Sequence, residues 1–399
     1  MVQLLAARYD SFMTRPHIAF ATIAAGGGHV ATARAMAQAI AAAYPDQFDL
    51  TISDLMQDLG FTAEDARHKA QWRWMLAHPW TARSGQRLID AFPAVTRRVL
   101  RRSLDEVAKA AAQHFQAQPP ALIVANHGFL TVALTRSRRR YGLSTPVLTF
   151  ATEPLDASAL WAEPEADQFA VPSRPVLNDL VRLGVSADKI DVVGYPVQQA
   201  FLRPLSQAEA RACLGLPERF TCLVSLGGEG VGANAVAVVR TLLALPQTPQ
   251  VVVIAGRNEA LAGTLRAFAS SQLAVRGFVD NMADYLAACD LVIGKAGPAS
   301  VMEALAVGRP LLVTGYAGLN EVKLLRFLVT RGLGHEVRDL ASLSALVRGY
   351  QASPHRLEAV AASCRQLELA GMTARLASYL QQAATRGFPA ERSRQGGLA

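Results

Sequence analysis

Three stretches place glycines, an imidazole and carboxylates where chemistry could be done. The first is ATIAAGGGHVATARAMAQAI, residues 21–40, in which Gly26, Gly27, Gly28 and then His29 lie between an apolar run and an alanine-rich helical pattern. Glycines after a strand let a ligand approach the main chain, and the helix that follows offers unpaired N–H groups and a positive dipole end. The second is SLGGEGVGANAVAVV, where Gly227, Gly228, Gly230 and Gly232 surround Glu229. Backbone amides at such a corner can receive a diphosphate. The third, GFVDNMADYLAACDLVIGKAGPASVMEALAVGRPLL, runs from a buried strand through a tight turn into a helix that starts near Ser300. Ser300 and Glu303 have the spacing of a capping box, with the glutamate folded back on the first amides. The functional alternative is that Glu303 projects outward and accepts from two adjacent hydroxyls, as a carboxylate can. One glycine corner is weak evidence, but two facing corners imply a cleft between strand ends, where ligands of α/β folds bind.

The elements that must hold these residues are legible in the pattern. Short apolar runs alternate with helical stretches, which argues for α/β units around parallel sheets. Strand candidates in the first half are HIAFATI at 17, FDLTISD at 48, ALIVAN at 121, PVLTFA at 146, DQFAV at 167 and KIDVVG at 189. A second series comprises TCLVSL at 221, QVVVIA at 250, AVRGFV at 274, DLVIG at 290 and PLLVT at 310. Two doubly wound, Rossmann-like domains follow, and 399 residues suffice for two cores. Between the series, Pro196, Pro204 and the capping pair Ser206 and Glu209 announce a new helix that stops near Gly215. The expected division is a first domain at 1–203, a second at 204–380 and a disordered tail at 381–399, whose end has little to bury.

The formal net charge is +8, and its placement says more than its size. Between Arg67 and Arg102, nine lysines and arginines stand against a single acid, Asp90, and the same stretch holds Trp72, Trp74 and Trp80. Tryptophan beside arginine suits a membrane interface, with Arg97, Arg98, Arg101 and Arg102 meeting anionic headgroups; the plain alternative is a solvated helical face. Nucleic acid is not expected, because no zinc-finger, KH or ribonucleoprotein motif accompanies the charge. No apolar run reaches the roughly 18 residues needed to cross a bilayer, and no secretory signal pattern opens the chain. The expectation is a cytoplasmic protein associated peripherally with the inner face of a membrane. Cys213, Cys222, Cys289 and Cys364 are dispersed, so neither a zinc site nor a disulfide framework is indicated, and buried thiols are expected.

From about residue 17 to 335 the chain resembles the two-domain GT-B glycosyltransferases that include monogalactosyldiacylglycerol synthases, processive diacylglycerol glucosyltransferases and the N-acetylglucosaminyl transferase of peptidoglycan synthesis. The likeness is carried by GGGH at 26, GGEGVG at 227, AGRN at 255, GFVDNM at 277, ACDLVIGKAGPAS at 288 and EALAVGRPLLV at 303, in the family's order and approximate spacing. The resemblance implies that Glu303 holds the ribose of a UDP-sugar and the backbone at Val279 meets the uracil. It gives the diphosphate to the amides of Gly227, Gly228, Gly297 and Ser300, and places Asn320 and Glu321 near the donor-sugar hydroxyls. It puts His29 across the cleft, with Gly27, Gly28, His127 and Trp161 on the acceptor side. Family members invert the anomeric carbon, so a β-glycoside is implied. An imidazole at a helix start has its pKa pushed down by the dipole, which favours the neutral base. Oriented amides can stabilise a departing diphosphate, and the absence of an Asp-x-Asp motif suggests neither metal nor other cofactor.

Departures cluster on the acceptor side and around the donor sugar. The family's Gln-Glu pair stands here as Asn320-Glu321, and its Thr-Asp followed by His-x-x-Trp stands as Thr152-Glu153 followed by Ser158, Ala159, Leu160 and Trp161. Glu153 is therefore a second candidate base, with a surface acid as the plain alternative. The reading is an inverting transferase moving a hexose from UDP to a lipid hydroxyl of the diacylglycerol type. Its rivals are the same fold acting on a polyprenyl-linked sugar, a carotenoid or a soluble metabolite, and a non-catalytic UDP-sugar binder.

Overall fold

A computed structural model describes residues 15–24, 27–225, 227, 234–268, 270–316 and 318–388. Gly26, Gly228, Glu229, Gly230 and Gly232 lie outside the described residues, as does the side chain of Trp72. The first sheet comprises β1 (His17–Thr22), β2 (Asp49–Asp54), β3 (Leu122–Ala125), β4 (Val147–Phe150), β5 (Gln168–Val171) and β6 (Ile190–Val192). The second comprises β7 (Thr221–Ser225), β8 (Gln250–Ile254), β9 (Leu273–Arg276), β10 (Leu291–Lys295), β11 (Leu311–Gly315) and β12 (Gly334–Glu336). Each sheet has six strands, in the orders β2-β1-β3-β4-β5-β6 and β12-β11-β10-β7-β8-β9, and every pairing is parallel.

Both faces of each sheet are covered, which is why the inner strands read as unbroken apolar runs. In the first sheet Ala19, Ala21, Ile123 and Ala125 face one core, while Ile18, Phe20, Leu122 and Val124 face the other. The second sheet divides likewise, with Leu223 and Val292 on one side and Cys222, Val224 and Ile293 on the other. The edge strand β12 escapes sequence reasoning because Gly-His-Glu carries no apolar pattern. The capping box at Ser206 forms as expected, starting the helix Gln207–Leu214, which ends at Gly215 in the left-handed region at φ 64°.

The order of the strands fixes where ligands can sit. In the first sheet the chain winds outward in opposite directions from β1 and β3, and in the second from β7 and β10. At such switch points the loops after adjacent strands part and leave a crevice at the carboxyl ends. The loop after β1 carries Gly27, Gly28 and His29; the loop after β3 carries Asn126 and His127. The loop after β7 carries Gly227, and the one after β10 carries Gly297.

The end of the chain departs from the expected division. The helix Leu369–Arg386 returns to the first sheet, where Leu376, Leu380 and Ala383 are buried with Ile18, Phe20 and Phe150. Residues 381–386 are therefore helix rather than tail, because the apolar stripe that begins at Leu376 continues through Ala383. Residues 389–399 lie outside the described residues. The outgoing and returning segments touch: a Cβ on Gly194, at φ 100°, would collide with Met372, and the Val197 N–H donates to Thr373 Oγ1 at 3.2 Å.

Candidate functional site

The helix Gly28–Ala43 begins at Gly27 without a side-chain cap, which puts His29 in its first turn with open amides around it. His29 Nδ1 lies 2.8 Å from the Asn126 carbonyl oxygen, a group that can only accept. Nδ1 therefore carries the proton and Nε2 keeps its lone pair. Thr152 Oγ1 lies 3.1 Å from the same Nδ1, and Asn126 Nδ2 donates to the His29 carbonyl at 2.7 Å. The imidazole is pushed down to about 4, chiefly by burial and against the Asn126 hydrogen bond. Burial, rather than the helix dipole invoked from the sequence, is the main cause.

His127 and Trp161 gather round the same ring, with centroids 4.6 Å and 6.2 Å from His29. His127 also has a local task, since its Nδ1 accepts the Phe129 N–H at 3.2 Å and caps the helix Gly128–Tyr141. Trp161 is buried among Ala157, Phe169 and Val176, so it backs the site rather than lining an open mouth. His68, which sequence reasoning passed over, stands edge-on to His127 at 5.8 Å.

On the opposing domain the helix Pro298–Ala306 starts at Gly297 with no side-chain cap. Ser300 is thus its third residue and no capping box forms, which leaves Glu303 facing a narrow pocket with Ser225, Gly227, Lys295 and Ser300. Glu303 has no hydrogen-bond or ionic partner among the described residues, and burial pushes its carboxyl up to about 8. Gly294, inside β10, lets β7 come close: a Cβ there would overlap the Ser225 carbonyl oxygen. Val279 is half-buried just beyond β9, packed on the core beside Met282, while the neighbouring Phe278 is exposed under the Arg257 guanidinium, 4.9 Å from its ring centroid.

Lys295, at the end of β10, is a site residue that sequence reasoning missed. A Cβ on Gly227 or Gly297 would lie 3.6 Å and 3.7 Å from its Cε, so its stem runs across both glycine corners. Its ammonium lies 4.0 Å from Glu321 Oε1, a buried carboxylate. The visible signal was a lone cation between two glycine-rich turns.

The domains meet across the cleft through polar contacts. Asn320 Nδ2 donates to Glu153 Oε2 at 2.7 Å, and Gln86 Oε1 accepts the Leu319 N–H at 3.1 Å. Lys323 reaches Asp179 at 3.2 Å and Asp156 at 3.4 Å. Burial pushes Glu153 up to about 8 against the Asn320 hydrogen bond, with Asp156 and Glu321 adding to the rise.

The basic stretch folds into the helices Thr62–Ala77, Pro79–Ala91 and Pro93–Ser103, between β2 and the rest of the first sheet. Its four expected docking arginines, Arg97, Arg98, Arg101 and Arg102, all line one groove with Arg136 and Arg140. Arg101 is bound to Glu163 and Glu165, and Arg97 donates to the Leu183 carbonyl, while Arg98 and Arg102 are exposed. Trp74, Trp80, Leu88, Phe92, Val95 and Val99, all in this excursion, are more than half exposed. No helix among the described residues is long and apolar enough to cross a membrane. Of the cysteines, Cys222, Cys289 and Cys364 are buried as expected, and Cys213 is exposed.

Residues 222–323 match the glycosyltransferase family 28 C-terminal domain. The chain is 26% identical over 341 residues to monogalactosyldiacylglycerol synthase 1 of Arabidopsis thaliana, covering 81% of this chain and 62% of that protein. The spinach (Spinacia oleracea) monogalactosyldiacylglycerol synthase is 26% identical over 350 residues, covering 81% and 63%. The chain thus spans under two thirds of the length of these relatives. Among solved structures, Anabaena Alr3699/HepE in complex with UDP superposes with a TM-score of 0.54 at 14% identity, covering 92% of this chain and all of that one. The calicheamicin glycosyltransferase CalG4 gives 0.57 at 17%, covering 94% and 100%. The chain therefore has the GT-B glycosyltransferase fold, its residues 222–323 match a family 28 C-terminal domain, and its sequence resembles the monogalactosyldiacylglycerol synthases.

Proposed function

We propose that this chain transfers a hexosyl group from a UDP-sugar to the hydroxyl of a diacylglycerol-type lipid, with inversion to a β-glycoside. The observation that carries the reading is the pair of glycine corners at the two switch points, one presenting an imidazole with its Nε2 unprotonated and the other a lysine beside the Glu321 carboxylate. In this reading His29 Nε2 takes the proton of the lipid hydroxyl as its oxygen attacks the anomeric carbon. The bond from that carbon to the diphosphate breaks, and the charge left on UDP is met by Lys295 and by the amides of Gly227, Gly228, Gly297 and Ser300. These groups do this without a divalent ion. Glu303 accepts from the ribose hydroxyls, the backbone at Val279 meets the uracil, and Asn320 and Glu321 face the sugar. At neutral pH the Glu153 carboxyl, raised to about 8, is mostly protonated and one of its oxygens is engaged by Asn320, whereas the His29 imidazole, lowered to about 4, is already unprotonated.

The excursion with exposed Trp74, Phe92, Val95 and Val99 beside Arg98 and Arg102 is, in the same reading, the face that rests on an anionic membrane. That the curated relatives bear the name of a galactolipid synthase supports a lipid acceptor. The test is to supply the purified protein with mixed lipid extract and radiolabelled UDP-glucose or UDP-galactose in parallel. Label is expected in a neutral glycolipid, reduced at least a hundredfold in His29→Ala. No label from either donor, or full turnover by His29→Ala, would refute the transfer or the assignment of the base respectively.

A further inference from the structure

The helix Pro79–Ala91 belongs to the basic excursion of the first domain, yet two of its side chains reach the second domain. The Arg83 guanidinium lies 5.6 Å from the ring centroid of Tyr316, and Gln86 Oε1 takes the N–H of Leu319. Leu319 is the first residue of the helix Leu319–Thr330, whose start carries Asn320 and Glu321, and no side chain of its own caps that helix. A Cβ on Gly318 would lie 3.7 Å from the same Gln86 oxygen and would collide with the Asn320 amide, so the glycine is what allows these carboxamides to crowd together. Asn320 directs its NH2 group to Glu153. The NH2 group of Gln86 has no hydrogen-bond partner among the described residues, although its oxygen is held in place.

We infer that Gln86 is a donor-sugar contact: its oxygen anchors to the start of the helix Leu319–Thr330, and its NH2 group donates to a hydroxyl of the hexose. A carboxamide fixed at one atom is a good discriminator, since a hydroxyl in the wrong configuration leaves the donor unpaired. The inference rests on the UDP-sugar reading and adds to it a recognition residue supplied by the opposite domain.

The test measures dissociation constants for UDP and for UDP-glucose, UDP-galactose and UDP-N-acetylglucosamine with the full chain and two variants. Gln86→Met loses both hydrogen bonds. Gln86→Glu keeps an oxygen for the Leu319 N–H and loses the NH2 group. For the sugar nucleotide the wild type prefers, the ratio of its constant to that of UDP is expected to rise about tenfold in both variants, with UDP itself within about twofold. An unchanged ratio in both, even with all ligands weakened together, would show that Gln86 only latches the domains. A rise in Gln86→Met alone would assign the effect to the lost anchor, and it too would overturn the sugar contact. A wild type that binds no uridine nucleotide would remove the UDP-sugar reading itself, and this inference with it.

Discussion

Burial moves His29 and Glu153 in opposite directions, the imidazole down to about 4 and the carboxyl up to about 8. Glu303 rises to about 8 as well, from the ordinary 4.5. Between those two values the folded chain keeps protons that the unfolded chain has released, so the stability these glutamates contribute falls as pH rises through that window. His29 acts in the opposite sense only below the ordinary 6.5 of an imidazole, so the denaturant midpoint of the unliganded protein is expected to decline from about pH 6.5 to about pH 8, and Glu153→Gln combined with Glu303→Gln to flatten that slope. An equal decline in the double variant would exonerate both residues. Lys295 invites a second measurement at this scale. Lys295→Met is expected to weaken UDP by roughly tenfold to a hundredfold while leaving uridine unchanged, because only the diphosphate meets the ammonium. Equal loss for both ligands would mean that the lysine shapes the pocket rather than the charge. His29 was legible because glycine and histidine at a strand end have few plain explanations. Lys295 was not, since one cation at the end of a strand looks like any solvated terminus, and nothing near Gln86 in the sequence tells that Leu319 will lie beside it.

Among the elements, strands buried on both faces announced themselves, and β12 did not, because an edge strand of three residues needs no apolar run. The Ser300 and Glu303 spacing suggested a capping box, but Pro298 opens the helix two residues earlier, so that Gly297 takes the cap position and the glutamate is released into the pocket. Tight pairing of β7 with β10 is what brings Gly227 and Lys295 together. Gly294→Ala would force a methyl group against the Ser225 carbonyl, and overpacking of this kind costs about 1–3 kcal/mol. Chemical denaturation should show that loss, with weakened UDP binding beside it. Wild-type stability would mean the two strands part there freely.

At the scale of the whole molecule, the two sheets were foreseen and their final connection was not. Leu376, Leu380 and Ala383 have the spacing of any amphipathic helix, and only the assembled structure shows that they fill the first core rather than the second. Leu380→Ala is accordingly expected to cost about 2–5 kcal/mol and to loosen the core around Phe20 and Phe150, which denaturant unfolding and hydrogen exchange of β1 and β4 would register. Protection of those strands equal to wild type would mean the returning helix is not integral to that core. The return of this helix has a mechanical consequence. The second domain hangs from the first at both ends, and its two suspending segments lie side by side, Gly194 against Met372 and Val197 against Thr373. A body hung by two adjoining cords turns about the line they share and resists swivelling. Any opening of the cleft is therefore expected to follow a book turning on its spine, a motion that would keep the facing pages, with His29 on one and Lys295 on the other, in the same register.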